Sequence, residues 1–185
     1  MRSFLAIEIP EKLRVKIGSL RDRLRGCGAK ASWVKDANFH LTLRFLGEAD
    51  PETLARLSTR VEAICRAHGP IGLRVGDAGV FPNLRRPAVV WVGAQTCEGD
   101  LPGLQRAIEE AAQCAGLEAE GKPFHPHITL GRIRGHRRLG TLAEQLEEAK
   151  AFEAGEFTAA AVSLFSSELR PGGAVHSCLR EFPLS

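Results

Sequence analysis

An α+β fold with antiparallel sheets, built as two lobes, is what this chain predicts, and three observations predict it. Strand-like and helix-like segments mix without the strict β-α-β alternation that a doubly wound parallel sheet would need. A short pattern, His-x-Thr-x with aliphatic residues between, appears twice, as "HLTL" at 40–43 and "HITL" at 127–130. The two copies fall in opposite halves of the 185 residues, each near helices of similar length, and no low-complexity linker divides the chain. These features point to a weak internal duplication, in which each lobe supplies one histidine. The length allows a sizeable core within one domain, residues 1–185.

From the N-terminus, residues 3–9 form a short apolar strand, and residues 11–25 carry Leu13, Ile17, Leu20 and Leu24 on one helical face. The stretch "FHLTLRFLG" at 39–47 reads as a buried strand. Asp50-Pro51 opens a helix, with the aspartate as N-cap and proline in the first turn. Its stripe of Leu54, Leu57, Val61, Ile64 and Cys65 faces a core until "HGP" at 68–70 ends it. Two strands joined by the basic turn "NLRR" come next, in "IGLRVGDAGVFP" and "PAVVWVGA". Asp100 caps another helix, with Leu101, Leu104, Ile108 and Ala111 as its apolar stripe. After the second histidine strand comes a helix around 139–150. The closing residues, 157–184, read as two strands joined by an Arg-Pro-Gly-Gly turn.

Composition narrows the function classes. The chain is 44% hydrophobic and 25% charged, the make-up of a soluble globular protein. The apolar run in "MRSFLAIEIP" is too short for a signal peptide or a membrane span. Five cysteines, at 27, 65, 97, 114 and 178, lack metal or redox spacing. Free thiols in a reducing compartment are the natural reading, so a cytoplasmic address and no membrane partner are expected. The net charge is only +3, but the basic residues are chiefly arginine and cluster in "LRRP" at 84–87 and "RIRGHRR" at 132–138. Arginine's planar fork suits phosphate oxygens, although a GC-rich genome also enriches arginine.

Side chains in a strand alternate faces with period two. His40 and Thr42 therefore share one face while Leu41 and Leu43 take the other, and His127 and Thr129 stand likewise against Ile128 and Leu130. Each strand buries an aliphatic face and offers an imidazole beside a hydroxyl. One such pair is ordinary, a core histidine next to a β-former. Two in identical order suit phosphate-ester chemistry, in which a neutral imidazole takes a proton from water and an imidazolium protonates the leaving oxygen. Threonine hydroxyls can donate to the non-bridging oxygens. A metal site fits poorly, because "HPHITLGRIR" contains no acid and "NFHLTLRFLG" has none before Glu48. His125 is expected to shape its loop or to hydrogen-bond behind the site. His68, His136 and His176 read as non-catalytic.

The flanking stretches "RSFLAIEIP", "WVKDANFHLTLRFLGE", "VFPNLRRPAVVWVG", "FHPHITLGRIR" and "VSLFSSELRPGGAVHS" carry a resemblance along nearly the whole chain. On these residues and the two motifs, the chain resembles the two-histidine (2H) phosphoesterase superfamily. Within it, the chain is similar to the RNA 2′,3′-cyclic phosphodiesterase family, historically called 2′-5′ RNA ligases. The resemblance implies a bilobal fold of pseudo-two-fold symmetry, with antiparallel sheets lining a central cleft and helices outside. It implies metal-independent opening of a ribose 2′,3′-cyclic phosphate to a 2′-phosphate, with no cofactor. His40 would be the proton donor to O3′ and His127 the proton acceptor that activates water. Thr42 and Thr129 would hold the phosphate. The partner implied is RNA with 2′,3′-cyclic phosphate ends, tRNA fragments among them, acted on by a monomer.

Arg132 is a candidate phosphate or ribose contact, yet its odd spacing from His127 would point it away from the cleft of an ideal strand. A bulge or the strand's end near Gly131 would redirect it. Arg44 has the parity of His40 and Thr42 and is a second candidate. Trp33, Phe39, Phe81 and Phe124 flank the motifs as aromatics that could meet a base. Two unperturbed histidines with opposite protonation requirements give a bell-shaped pH profile with its maximum around neutrality. The same site could serve as a 2′-5′ ligase or act on a small cyclic nucleotide, and an RNA-binding module with vestigial histidines is the alternative outside enzymes.

Overall fold

Aliphatic residues fill the first strand, β1 (Arg2–Glu8), whose five inner side chains are all buried. Its helix, α1 (Glu11–Arg25), buries Leu13, Ile17, Leu20 and Leu24. The edge strand β2 (Ala31–Trp33) was not anticipated, since three residues are too few to show a period. The histidine strand β3 (His40–Glu48) leads to α2 (Pro51–Ala67), where the Asp50 carboxylate accepts the Thr53 amide at 2.9 Å. A hairpin of β4 (Ile71–Phe81) and β5 (Val89–Glu98) precedes α3 (Leu101–Cys114), where Asp100 accepts the Gly103 amide at 2.9 Å. Each cap of this kind contributes about 1 kcal/mol.

The second histidine strand is β6 (His127–Ile133), followed by α4 (Leu139–Glu148) with Leu142 and Leu146 buried. The end differs from the expected two strands, for β7 (Glu153–Ala159), β8 (Ala161–Arg170) and β9 (Gly173–Pro183) make three. Ala160 alone separates β7 from β8, and the break lies in their partners: β7 pairs with β4, while β8 pairs with β1. Local patterning cannot show such a change of partner. The structure, a computed structural model, describes residues 1–135 and 137–185. His136, read from the sequence as a non-catalytic loop residue, lies outside them. No helix among the described residues is long and apolar enough to cross a membrane.

Every strand pair is antiparallel, and the sheet runs β7-β4-β5-β6-β3-β1-β8-β9 with β2 added to β6. The order divides into two four-stranded halves that meet where β3 faces β6. There only Leu41 and Ile128 pair, both wholly buried. Beyond Ile128, β6 pairs with β2 instead, Trp33 opposite Gly131 and Ala31 opposite Ile133, so β3 and β6 diverge. α1 packs on β6 and β7 with α4 beside it, and α2 with α3 packs on β9 and β3. Helices thus cover the outer face, and the opposite face remains open as a cleft.

Candidate active site

The antiparallel register that sets Leu41 against Ile128, continued one residue each way, brings His40 across from Thr129 and Thr42 across from His127. Adjacent antiparallel strands lie about 5 Å apart. The four motif side chains therefore stand on the open face, on either side of the Leu41–Ile128 pair, each histidine facing the other lobe's threonine. His40, Thr42 and Thr129 line a cavity of 460 Å³. His127 stands on the same strand face, two residues before Thr129. Both threonines are half-buried, and neither hydroxyl is engaged by another described residue.

Each histidine strand carries a bulge at the same place. On β1, Leu5 faces Arg44 and Ala6 faces Thr42, so Leu43 is an extra residue in β3. On β5, Val90 faces Gly131 and Trp91 faces Thr129, so Leu130 is the extra residue in β6. Two consecutive residues then turn inward, Leu43 with Arg44 and Leu130 with Gly131, and the parity of the next residues in each strand reverses. Phe45 and Arg132 both come round to line the cavity. Arg132 is exposed, and among the described residues it has no ion-pair partner.

The same reversal removes Arg44 from the cleft, contrary to its reading as a contact candidate. Its side chain is 7% exposed and pairs with Glu109 at 2.5 Å and Glu120 at 3.1 Å. It also donates to the Glu118 carbonyl. Arg44 thus ties β3 to α3 and to the segment after it, and has no free fork for a phosphate.

Both imidazoles are held in one way. His40 Nδ1 donates to the Asn38 carbonyl at 2.7 Å, and His127 Nδ1 donates to the His125 carbonyl at 2.6 Å. A carbonyl only accepts, so Nδ1 carries the hydrogen and Nε2 is left outside this bond. His125 contributes its backbone to this clamp, while its ring packs against Phe81 and Trp91.

The surroundings of the two rings differ. His40 stacks on Phe4 at 4.7 Å and meets the edge of His176 at 5.4 Å. Burial, opposed by the Asn38 carbonyl, pushes its imidazole down to about 4. His127 meets Phe81 edge-on at 5.0 Å. Burial also lowers its pKa, opposed by the His125 carbonyl and aided by the charges of His125 and Arg132. Both imidazoles are thus lowered from the ordinary histidine value by the same cause. Desolvation disfavours both imidazolium ions.

Sequence reasoning passed over Phe4 and Phe45, and read His176 as non-catalytic without placing it beside His40. Phe45 became visible only with the bulge, although aligning "HLTLRF" with "HITLGR" pairs it with Arg132 and would have flagged it. His176 comes from β9, distant in sequence, and only its position over His40 reveals it. Of the flanking aromatics, Trp33 lines the cavity, Phe39 is buried in the core, Phe81 frames His127, and Phe124 packs against the core. His68 caps α2 through Nδ1 and the Ile64 carbonyl at 2.9 Å. Among the described residues, no three His, Cys, Asp or Glu side chains gather as metal ligands.

The sequence profile of the family described as LigT like Phosphoesterase matches this chain twice, over residues 7–91 and 92–176. The "RNA 2′,3′-cyclic phosphodiesterase" of Methanothermobacter thermautotrophicus is 34% identical over 184 residues, covering 100% of this chain and 99% of that protein. That of Aeropyrum pernix is 35% identical, over 90% of this chain and 93% of the relative. Among solved structures, a Thermus thermophilus protein superposes with a TM-score of 0.82 at 27% identity, covering 100% of this chain and 98% of the other. Escherichia coli LigT complexed with 3′-AMP superposes with a TM-score of 0.78 at 27% identity, with the same coverage.

Proposed function

The chain belongs to the LigT-like phosphoesterase family, and on that footing we propose that it hydrolyses RNA 2′,3′-cyclic phosphate ends to 2′-phosphates, with residues 1–185 acting as one two-lobed catalytic unit. The observation that carries the proposal is the symmetric pair of histidines. Each has its Nδ1 clamped by the carbonyl two residues earlier, and each lies across the Leu41–Ile128 seam from the other lobe's threonine. In-line displacement at phosphorus needs an acid and a base on opposite sides of the phosphate, and this arrangement supplies them.

His127 Nε2 takes the proton of the attacking water, and His40 Nε2 gives a proton to O3′ as the P–O3′ bond breaks. Thr42 and Thr129 donate to the non-bridging oxygens, and Arg132 answers the charge that builds on them. Positioned proton transfer of this kind contributes about 10²–10⁴ in rate. Burial disfavours the imidazolium of His40, so the proton it delivers is taken up together with the anionic phosphate. The motifs offer no carboxylate, so the chemistry needs no divalent cation.

The relatives' printed name supports RNA as the substrate. The finer assignments, tRNA fragments as one source of such ends, a monomeric enzyme and a cytoplasmic address, belong to the same proposal. The test is incubation with an RNA ending in 2′,3′-cyclic phosphate in the presence of EDTA, with the product's phosphate mapped. A 2′-phosphate product is expected. Loss of activity on chelation, restored by one divalent ion, would overturn the two-histidine mechanism.

A further inference from the structure

The catalytic cavity does not end at the sheet. Trp33, Val34 and Lys35 line it, and the same three residues line a second, open groove of 670 Å³ between β2 and the end of α1. The two hollows therefore adjoin at the end of β2. That strand pairs with β6 on one side only, so it offers a low rim over which a chain can pass.

The charges along this route are lopsided. On the cavity side stand Arg132 and Arg134, the latter held by its Nε bond to Ser32 Oγ at 3.0 Å. In the groove are Arg21, Arg25, Lys30 and Lys35, against a single carboxylate, Asp36. Asp36 is already paired with Arg21 at 2.7 Å, and Arg21 also engages Asp22 at 2.9 Å. Among the described residues, Arg25, Lys30 and Lys35 have no ion-pair partner, and all three are exposed. Trp33 stands where the hollows join. Its ring is seated on Gly131, where an added Cβ would lie 2.7 Å from Cε3, so one face of the indole has a backbone support. A row of unpaired cations beside an aromatic ring is how proteins hold a single strand without reading its sequence.

We propose that the RNA 5′ to the reacting nucleotide leaves the cleft over the edge of β2 and runs through this groove. Arg25, Lys30 and Lys35 meet its phosphates, and Trp33 stacks against a base. The proposal rests on the cyclic phosphodiesterase reading above. It adds the path of the RNA body and a reason for the enzyme to prefer polynucleotide ends over free cyclic nucleotides.

The experiment compares an oligoribonucleotide ending in 2′,3′-cyclic phosphate with a mononucleoside 2′,3′-cyclic phosphate, using the full chain and its Arg25→Gln/Lys30→Gln variant over a range of salt. For the oligonucleotide, KM should rise several-fold in the variant with kcat unchanged. Losing two phosphate contacts should flatten the slope of log(kcat/KM) against log salt by about 1.4, since each contact to a single strand contributes roughly 0.7. Mononucleotide turnover should hold, which also shows that the variant is folded. Equal effects on both substrates, or none on either, would overturn the path. So would an equal loss for the oligonucleotide alone from Arg85→Gln/Arg86→Gln, in the β4–β5 turn outside the groove. Wild-type protein that turns over neither substrate would instead sink the enzymatic reading itself.

Discussion

The two histidine strands run in step for four residues and then part. His40-Leu41-Thr42-Leu43 and His127-Ile128-Thr129-Leu130 place the same groups on the same faces, with the same carbonyl clamp and the same bulge. At the fifth residue β3 has Arg44, buried and paired with Glu109 and Glu120, where β6 has Gly131, whose missing side chain admits the Trp33 ring. At the sixth, Phe45 and Arg132 both reach the cavity. At this one position, then, β3 presents an aromatic ring and β6 a cation. Duplication accounts for the matched imidazoles and their clamps, and the residues just beyond them are where the two walls differ.

The most direct challenge to this pairing is to remove each imidazole in turn. His40→Ala and His127→Ala should each lower turnover of a cyclic-ended RNA by at least about 10². The double variant should be little worse than either, because the two act as a unit. A nitrophenyl phosphodiester, whose leaving group needs little protonation, separates the roles. His40→Ala should recover much of its rate on that substrate and His127→Ala should not. Recovery by His127→Ala alone would exchange the assignments.

The fifth position should split stability from catalysis. Arg44→Ala removes the charged hydrogen bonds to Glu109 and Glu120, and because both carboxylates keep contact with solvent the cost should be about 1.5–3 kcal/mol. Denaturant midpoints should fall accordingly, while the folded fraction keeps its kcat. A kcat loss as large as that of His127→Ala would mean that Arg44 reaches the substrate after all. At the sixth position, Arg132→Gln should lower kcat by about ten- to a hundredfold, as loss of a charged hydrogen bond does. Phe45→Leu, its counterpart, should act mainly on KM.

A smaller effect concerns pH. His40 is held near 4 by burial, and His127 is lowered for the same reason. The base must be neutral and the acid protonated, so both limbs of kcat/KM, which report the free enzyme, should lie below the ordinary 6.5. In the complex the phosphate favours imidazolium, so the basic limb of kcat should move up. Binding of a nucleoside 2′-phosphate near neutrality should take up a proton, measurable by calorimetry in buffers of different ionisation enthalpy. A basic limb of kcat/KM above 7 would show that burial does not control these histidines.

The least effect is expected from His125→Ala. The clamp on His127 comes from the residue 125 carbonyl, which alanine also provides, so turnover should change little. A loss matching that of His127→Ala would mean that the His125 ring enters the chemistry.

The order of amino acids alone was enough for the antiparallel α+β class, the helices with their Asp50 and Asp100 caps, and the shared face of His40 with Thr42 and of His127 with Thr129. Those features depend on residues a few positions apart, and periods of two and 3.6 report them. Past the fourth motif residue, local order no longer suffices. Whether Arg44 or Phe45 faces the cleft, and whether Arg132 does, depends on one unpaired residue in each strand. A bulge is a mismatch with the neighbouring strand, so no count along a single strand contains it. The short strand β2, the change of partner between β7 and β8, and the arrival of His176 beside His40 likewise depend on contacts between distant segments. Only the closed fold brings those segments together.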